Sequence, residues 1–281
     1  MSNNFAPKTN FFTIYIYPIK SCRGFAVNSA ELDNWGFRFD RNWMLVTPNG
    51  QFITQRDVPQ MALIETAIEA EALHLKAPGQ SGLELPLSPV AGTMMEVEVW
   101  RDRCLAIDQG DVVATWFSQF LGIECRLVRL GEAYNRPVKR ITTAQVSFAD
   151  GYPLLLISEA SLADLNQRLP EPIPMNRFRP NLVVSGCDAY AEDTWQQIRI
   201  GPVTFDLVKP CERCVITTTD QATGRRESKE PLKTLATYRR NKGGVIFGQN
   251  VTHRQQGEVQ IGRRVEVLAI APTSSISVSS V

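Results

Sequence analysis

The chain has 281 residues, of which 43% are apolar and 21% charged, and its formal net charge is +1. These values are ordinary for a soluble globular protein with one large domain or two modest ones. The near balance of 30 basic and 29 acidic residues argues against a general nucleic-acid binder, which carries a basic excess. The first residues resemble neither a secretory signal nor a transit peptide, and no apolar run is long enough to span a bilayer. We therefore expect a cytoplasmic protein without a membrane segment.

The first half of the chain has the pattern of β structure. Strands are predicted at residues 11–17, 43–47, 52–54, 62–68, 73–76 and 95–100. The first is aromatic and β-branched and ends at Pro18, and the turn Pro48-Asn49-Gly50 predicts a hairpin between the second and the third. Short strands at this spacing favour a barrel or a sandwich over a parallel sheet.

Helices enter further along the chain and predict a mixed fold. They are expected over residues 111–121, 158–169 and 230–240, with Ser158 as the N-cap of the second. Two more strands are predicted at 182–185 and 203–208, and a basic segment at 126–143 has the composition of a connection between domains. Together the elements predict a mixed α+β, β-rich fold. Its segments are a flexible N-terminus (1–9), an N-terminal β domain (10–127), a C-terminal mixed domain (128–271) and a disordered tail (272–281).

The cysteine and histidine content narrows the chemistry. Six cysteines are scattered along a chain without a signal peptide, which predicts free thiols and not a disulfide framework. Only two histidines are present. Any chemistry must therefore use cysteine, carboxylates, arginine or a bound cofactor.

The sharpest local pattern is the CxxC motif at Cys211 and Cys214. Pro210 and the charged residues predict an exposed loop, and the β-branched residues after the motif argue against a helix there. Arg213 and Lys209 make a basic setting that suits a soft-metal ligand. Three other interpretations stay open: half of a zinc site without a second ligand pair, a thioredoxin-like dithiol without its helix, and structural cysteines.

Basic side chains also stand at the ends of three predicted strands, where an ammonium or a guanidinium could bind a phosphate. They are Lys20 beside Ser21, Arg41 beside Asp40, and Arg177 with Arg179. The structural alternatives are a basic loop for the first, a buried Asp–Arg pair for the second and a surface salt bridge for the third.

A longer basic cluster occupies residues 225–242. Its members are Arg225, Arg226, Lys229, Lys233, Arg239, Arg240 and Lys242. Glu227 and Glu230 interrupt the run, and such a pattern is usually a solvated face. The second interpretation is a docking surface for an acidic redox partner.

In chain order, these motifs resemble one family. The matching blocks are residues 17–24, 40–46, 109–122, 154–166, 177–195, 209–224, 230–239 and 247–250. From about Ile14 to Leu268 the chain resembles a MOSC-domain protein (the domain named after the C-terminus of molybdenum-cofactor sulfurase), in the branch of the amidoxime-reducing component and its bacterial relatives. The resemblance implies an N-terminal MOSC β-barrel-like domain and a C-terminal MOSC domain built on a β-barrel with flanking helices.

The resemblance also implies a pyranopterin molybdenum cofactor (Mo-molybdopterin), with Cys214 as the thiolate ligand of the metal. Relatives hold the pterin and its phosphate through a set of residues that corresponds here to Lys20, Ser21, Arg41, Ser158, Arg179, Asn181, Glu212 and Asn250. Glu212 stands where relatives often have Ser, and Asn250 where some have Tyr.

The activity that the resemblance implies is reduction of N-hydroxylated or other N–O substrates. Electrons would come from a separate ferredoxin-like, flavodoxin-like or cytochrome b5-like protein and its reductase, because no cysteine follows Cys214 to hold the 2Fe–2S cluster of longer relatives. The alternatives are a molybdenum-cofactor carrier or sulfur-transfer protein without reductase turnover, and a non-enzymatic redox-sensing or zinc protein. Pyridoxal phosphate binding is a further expectation from the family, although the pyridoxal-phosphate-dependent domain of the sulfurase has no counterpart in this sequence.

Overall fold

Short strands dominate the computed structural model, which describes residues 9–88, 92–131, 134–139 and 141–271. In the first half they are β1 Asn10–Ile16, β2 Phe25–Val27, β3 Ser29–Asp33, β4 Gly36–Phe37, β5 Trp43–Val46, β6 Glu65–Glu69, β7 Ala72–Lys76, β8 Leu83–Pro86, β9 Met94–Val99, β10 Asp102–Asp108 and β11 Arg126–Leu130. In the second half they are β12 Pro137–Val138, β13 Ile141–Gln145, β14 Leu154–Ser158, β15 Leu182–Ser185, β16 Trp195–Ile200, β17 Val203–Glu212, β18 Arg240–Asn241, β19 Gly244–His253, β20 Gly257–Gln260 and β21 Val265–Ile270. The predicted flexible N-terminus, apart from residue 9, and the predicted disordered tail lie outside the described residues.

The helices occupy the three predicted segments. They are α1 Asp111–Leu121, α2 Glu159–Arg168 and α3 Leu232–Tyr238. Helix α1 ends at Gly122, which takes a left-handed φ of 68° and donates its N–H to the carbonyl of Ser118. Helix α2 begins behind Ser158, as the Ser cap predicted. No helix within the described ranges is long and apolar enough to cross a membrane.

Three local predictions differ from the structure. Phe52 forms only an isolated bridge to Val46, so no return strand forms at 52–54. A 3-10 helix at Pro59–Leu63 replaces the start of the strand predicted at 62–68. Strand β17 continues through Cys211 instead of ending before an exposed loop, because its pairing with β19 persists past Pro210. Tertiary pairing here outweighs the local proline and charges.

The largest sheet joins the two halves of the chain. Its strand order is β2-β1-β15-β14-β19-β17-β16-β21, with β18 paired to β19. All its pairings are antiparallel except that of β14 with β15, and its core contains Ile14, Leu156, Leu182, Phe205 and Val251. Strands β1 and β2 thus add the start of the chain to the sheet of the C-terminal half. The mixed α+β, β-rich class is confirmed, whereas the domain boundary at 127/128 stays a prediction.

A second core belongs to the N-terminal half. The four-stranded sheet β5-β11-β10-β9 and the three-stranded sheet β6-β7-β8 stand beside α1. Trp43, Phe117 and Leu127 are completely buried within this core. Backbone hydrogen bonds from Phe148 N–H to the Arg41 carbonyl and from Tyr15 N–H to the Asn181 carbonyl tie distant segments together. These contacts bring strand ends from both halves to one place.

Candidate functional site

A cavity of about 430 Å³ lies where the strand ends meet. Eight of the nine predicted site residues line it: Lys20, Ser21, Arg41, Arg179, Asn181, Glu212, Cys214 and Asn250. They come from both halves of the chain, and a ligand pocket at such a junction is common.

Ser158 is the predicted site residue that does not line this cavity. It is completely buried at the start of α2, where its Oγ accepts the N–H of Ser161 at 3.0 Å. Its own N–H donates to Oε1 of Glu192 at 3.1 Å. These contacts are those of a helix N-cap, which the sequence also predicted.

Two arginines flank an aromatic ring at one end of the cavity. The guanidinium carbons of Arg41 and Arg179 each lie 4.3 Å from the centroid of the Tyr17 ring. Arg41 Nη1 pairs with Oδ2 of the buried Asp40 at 2.5 Å and donates to Oδ1 of Asn181 at 3.0 Å. The buried Asp–Arg pair considered as an alternative is therefore present, and Arg41 still reaches the cavity wall.

Arg179 has no comparable counter-charge. It makes no ion pair with any described residue, and its buried Nη2 has no hydrogen-bond partner among them. Burial, together with the neighbouring charge of Arg41, lowers the pKa of Arg179 to about 10. A half-buried cation without an ion-pair partner is unfavourable, so the site favours an anion.

Lys20, Arg56 and Asp150 form a second group of charged residues in the cavity wall. Lys20 Nζ donates to the Phe148 carbonyl at 2.8 Å and to Oδ1 of Asp150 at 2.5 Å. Burial lowers the pKa of Lys20 to about 8, although Asp150 opposes this shift. Arg56 Nη2 donates to Oδ2 of Asp150 at 3.2 Å. Burial would raise the pKa of the Asp150 carboxyl, but Lys20 and Arg56 hold it well below its usual range.

The two cysteines of the CxxC motif have different surroundings. Arg213 Nη1 donates to Sγ of Cys211 at 3.0 Å, and Lys209 pairs with Glu212 at 3.4 Å. The basic residues expected around Cys214 are therefore engaged elsewhere. Cys214 is half-buried in the cavity wall, directly before the 3-10 helix Val215–Thr218, where the sequence argued against a helix.

One cationic neighbour of Cys214 comes from the other half of the chain. Burial lowers the pKa of Arg56, but interactions with Asp150 and Cys214 more than offset it, and the net pKa is raised. Arg56 Nη1 is buried without a hydrogen-bond partner among the described residues. Arg56 follows the strand predicted at 52–54, as Lys20 follows β1. A basic residue after a predicted strand is therefore the sequence pattern that could have identified Arg56.

Strained backbone concentrates in the cavity wall. Four lining residues other than glycine have left-handed φ angles: Ser21 at 67°, Arg41 at 52°, Trp100 at 62° and Arg179 at 57°. Each such residue costs about 1 to 2 kcal/mol. Strain of this kind persists where function requires a particular side-chain position.

The lining groups fit an anionic ligand that carries a soft metal. Basic groups outnumber acidic ones, since the charged lining residues are Lys20, Arg41, Arg56, Arg179, Arg213, Asp150 and Glu212. Unpartnered buried donors remain at Arg56 Nη1, Arg179 Nη2 and Arg213 Nε. A phosphate supplies acceptors for them, and the Cys214 thiol is a soft ligand.

The two halves of the chain match two family models. Residues 9–124 match the MOSC N-terminal beta barrel domain and residues 143–266 match the MOSC domain. The chain is 38% identical over 276 residues to mitochondrial amidoxime-reducing component 1 of Mus musculus, covering 91% of this chain and 81% of that protein. It is 37% identical over 271 residues to mitochondrial amidoxime reducing component 2 of Rattus norvegicus, covering 89% and 80%.

A longer relative shares the same region. The chain is 39% identical over 259 residues to molybdenum cofactor sulfurase of Oryza sativa subsp. japonica, covering 84% of this chain and 31% of that protein. The expected MOSC resemblance is thus confirmed along both halves. The chain belongs to the family of MOSC proteins with an N-terminal β-barrel domain that includes the mitochondrial amidoxime-reducing components.

Proposed function

We propose that this chain is a molybdenum-cofactor-dependent reductase of N-hydroxylated substrates, with Cys214 as the protein ligand of the metal. The observation that carries the proposal is the cavity, which combines the thiols of Cys211 and Cys214 with an excess of basic groups, several of whose donors are unpartnered among the described residues. The similarity to proteins named as amidoxime-reducing components, over four fifths of their length, supports the reaction class.

The residues of the cavity wall would have two roles, since some would bind the cofactor's phosphate and Cys214 would bind the metal. When bound, the cofactor supplies two-electron redox chemistry at molybdenum, and the protein supplies position and electrostatics. Cys214 offers a thiolate to the metal. Arg179 and Arg41 would offer guanidinium donors to the phosphate, and both guanidinium groups contact the Tyr17 ring. Lys20 adds an ammonium to the cavity wall.

Pyridoxal phosphate is not part of the proposal. A lysine that forms a Schiff base with this cofactor needs an available amine. Lys20 is the lysine that lines the cavity within the described residues, and its amine is buried against Asp150 and the Phe148 carbonyl.

The electron supply completes the proposed reaction. Cleaving one N–OH bond to N–H and water consumes two electrons and two protons. We propose that a separate ferredoxin-like, flavodoxin-like or cytochrome b5-like protein delivers the electrons, together with its reductase, in the cytoplasm.

A second candidate is a molybdenum-cofactor carrier or sulfur-transfer protein. The observation in its favour is the similarity to molybdenum cofactor sulfurase, which is as high as that to the amidoxime-reducing components. Such a protein would bind the cofactor in the same cavity without turning over an N–O substrate.

One preparation tests both candidates. The chain is purified from a host that makes the cofactor, its molybdenum and pterin are measured, and it is then assayed for reduction of benzamidoxime with a reduced artificial electron donor. We expect molybdenum and pterin in equal amounts and formation of benzamidine. A loaded protein without benzamidine formation supports the carrier, and a protein without molybdenum contradicts both.

A further inference from the structure

Tyr17 is a buried aromatic residue whose ring contacts charged groups. It stands directly after β1, and only 2% of it is exposed. It is not a member of the clusters that form the apolar cores of the described residues. Its Oη is buried and has no hydrogen-bond partner among those residues. Neither apolar packing nor a hydrogen bond of the hydroxyl therefore explains why a tyrosine stands here.

The backbone and a glycine fix the position of the Tyr17 ring. The Tyr17 N–H donates to Oδ1 of Asp40 at 2.8 Å, and the Tyr17 carbonyl accepts the N–H of Arg41 at 2.8 Å. A Cβ on Gly24 would lie 2.4 Å from Cδ1 of the ring, well inside van der Waals contact. Only glycine therefore leaves room for the ring at this place.

Two arginines of the cavity wall share this ring. The guanidinium carbons of Arg41 and Arg179 each lie 4.3 Å from its centroid. Arg41 is also bound to Asp40, whereas Arg179 forms no ion pair with a described residue and its buried Nη2 has no hydrogen-bond partner among them. The negative face of an aromatic ring attracts a guanidinium, most strongly where water is excluded. The Tyr17 ring therefore supplies Arg179 with an attractive contact that no carboxylate provides.

We propose that Tyr17 is a positioning residue that holds the Arg179 guanidinium beside that of Arg41, ready for an anionic phosphate. The identity of the ligand as the cofactor's phosphate rests on the proposed function. Without the ring, repulsion from Arg41 would favour conformers of Arg179 that point away from it. An anion would then have to reorder this side chain on binding, which lowers its affinity. The aromatic face of Tyr17 matters for this role and its hydroxyl does not.

Inorganic phosphate tests this role in the cofactor-free protein. Wild type, Tyr17→Phe, Tyr17→Leu and a variant with a trifluorinated phenylalanine at this position are made in a host without the cofactor and titrated by calorimetry. Tyr17→Phe should bind phosphate as tightly as the wild type. Fluorination keeps the shape of the ring but removes its negative face, so we expect about threefold weaker binding, and about tenfold for Tyr17→Leu. Tyr238→Leu is the matched control, since it removes an equally close ring from Arg168 outside the cavity.

A double-mutant cycle distinguishes positioning from a general effect on the fold. In an Arg179→Ala background, Tyr17→Leu should weaken phosphate binding by less than about twofold, because the side chain that the ring positions is gone. An equal loss in both backgrounds would overturn the role. So would a fluorinated protein that binds phosphate as tightly as Tyr17→Phe, and this comparison still decides if Tyr17→Leu does not fold.

Cofactor content separates this role from the proposed function. The same variants are purified from a host that makes the cofactor, and we expect their pterin and molybdenum contents to fall in the order of their phosphate affinities. If the wild type carries no molybdenum, the proposed function fails, whereas the order of phosphate affinities still supports the role of Tyr17. A wild type that binds no phosphate contradicts the anion site and with it the positioning role.

Discussion

Arg213 donates a hydrogen bond from Nη1 to the sulfur of Cys211 at 3.0 Å. The same guanidinium donates from Nη2 to the Phe178 carbonyl at 2.7 Å. Cys211 also packs against the hydrophobic cluster that contains Phe178. Cys214 has no such bond among the described residues and shares the cavity wall with Arg56. Two cysteines only three positions apart thus have different neighbours, although both line the cavity.

This difference predicts opposite results for the two serine variants. Cys214→Ser should abolish molybdenum-dependent activity, because a hydroxyl is a poor ligand for a soft metal. Cys211→Ser should leave most of the activity, since a hydroxyl can still accept from Arg213. Activity and metal content of both variants check this. Full activity in Cys214→Ser would contradict the assignment of the metal ligand.

Arg179 should determine cofactor occupancy without determining the fold. Arg179 is half-buried and forms no ion pair with a described residue, so its removal should relieve a cost in the empty protein but weaken an anion contact by about tenfold or more. Arg179→Ala is expected to lower the pterin and molybdenum content while circular dichroism stays unchanged. Arg168→Ala is the matched control, because Arg168 pairs with Asp164 on α2 and does not line the cavity. Normal occupancy in both Arg179→Ala and Lys20→Ala would reject the phosphate assignment.

Lys20 should make cofactor retention depend on pH. Because the pKa of Lys20 is lowered to about 8, its ammonium is charged below that pH and is progressively neutral above it. The attraction for an anion is therefore lost as the pH rises from 7 to 9. We expect release of the pterin, followed by fluorescence, to become faster over this range. Lys20→Arg keeps its charge and should flatten the response; an identical pH response in both proteins would contradict this role.

Arg239 and Arg240 should differ sharply in their effect on stability. Arg239 Nη2 pairs with Oδ2 of Asp193 at 2.6 Å, and both side chains are largely buried, whereas Arg240 is exposed. Arg239→Ala leaves a buried carboxylate unpaired and should lower the free energy of unfolding by about 3 kcal/mol. Arg240→Ala should change it by less than about 0.5 kcal/mol. Denaturant unfolding of the two variants measures the difference, and equal values would show that the buried pair adds nothing.

The exposed part of the basic cluster is the candidate docking surface for the electron donor. Arg226 and Arg239 are excluded, because Arg226 donates to the Gln55 and Arg56 carbonyls and Arg239 is buried. The exposed members beside the cavity are Arg240 and Lys242, which adjoin the lining glycines at 243 and 244.

Charge reversal tests this surface. Arg240→Glu with Lys242→Glu should slow reduction by an acidic donor about tenfold at low salt. The difference should shrink as salt rises, because the Debye length falls to roughly 8 Å at physiological ionic strength. Reversal of Lys76 and Arg263, two exposed basic residues outside the cluster, is the matched control. If the donor rate and its salt dependence are the same in all three proteins, the docking surface lies elsewhere.

Local sequence patterns predicted the helices whose ends are set by a capping residue. Helix α1 ends at Gly122 because glycine adopts the left-handed φ of this helix terminus without steric strain. Helix α2 begins after Ser158 because its hydroxyl caps the first turn. Cys214 and Arg179, which the motif resemblance assigned to the cofactor, both line the cavity. The resemblance also included Ser158, whose cap role and position differ from those of the cavity residues.

The missed site residues are those that depend on long-range contacts. Arg56 and Asp150 are separated by 94 positions, and Trp100 and Asp150 by 50. Nothing in the local sequence around Trp100 indicates that it lines the same cavity as the cysteine motif. Such proximity arises from sheet pairing and domain packing, which depend on the whole chain.

The sequence by itself determined the β-rich class and the ends of the helices. It also showed which reactive groups are present, namely one CxxC motif and several basic residues at the ends of predicted strands. Only the tertiary structure decided which of these groups act together. Arg225 and Arg226, or Arg239 and Arg240, are equivalent as neighbours in sequence, yet one member of each pair is exposed and the other holds internal contacts. Burial, counter-charge and distance are properties of the packed chain. They decide whether a charged side chain stabilises the fold, lines the cavity or is exposed to solvent.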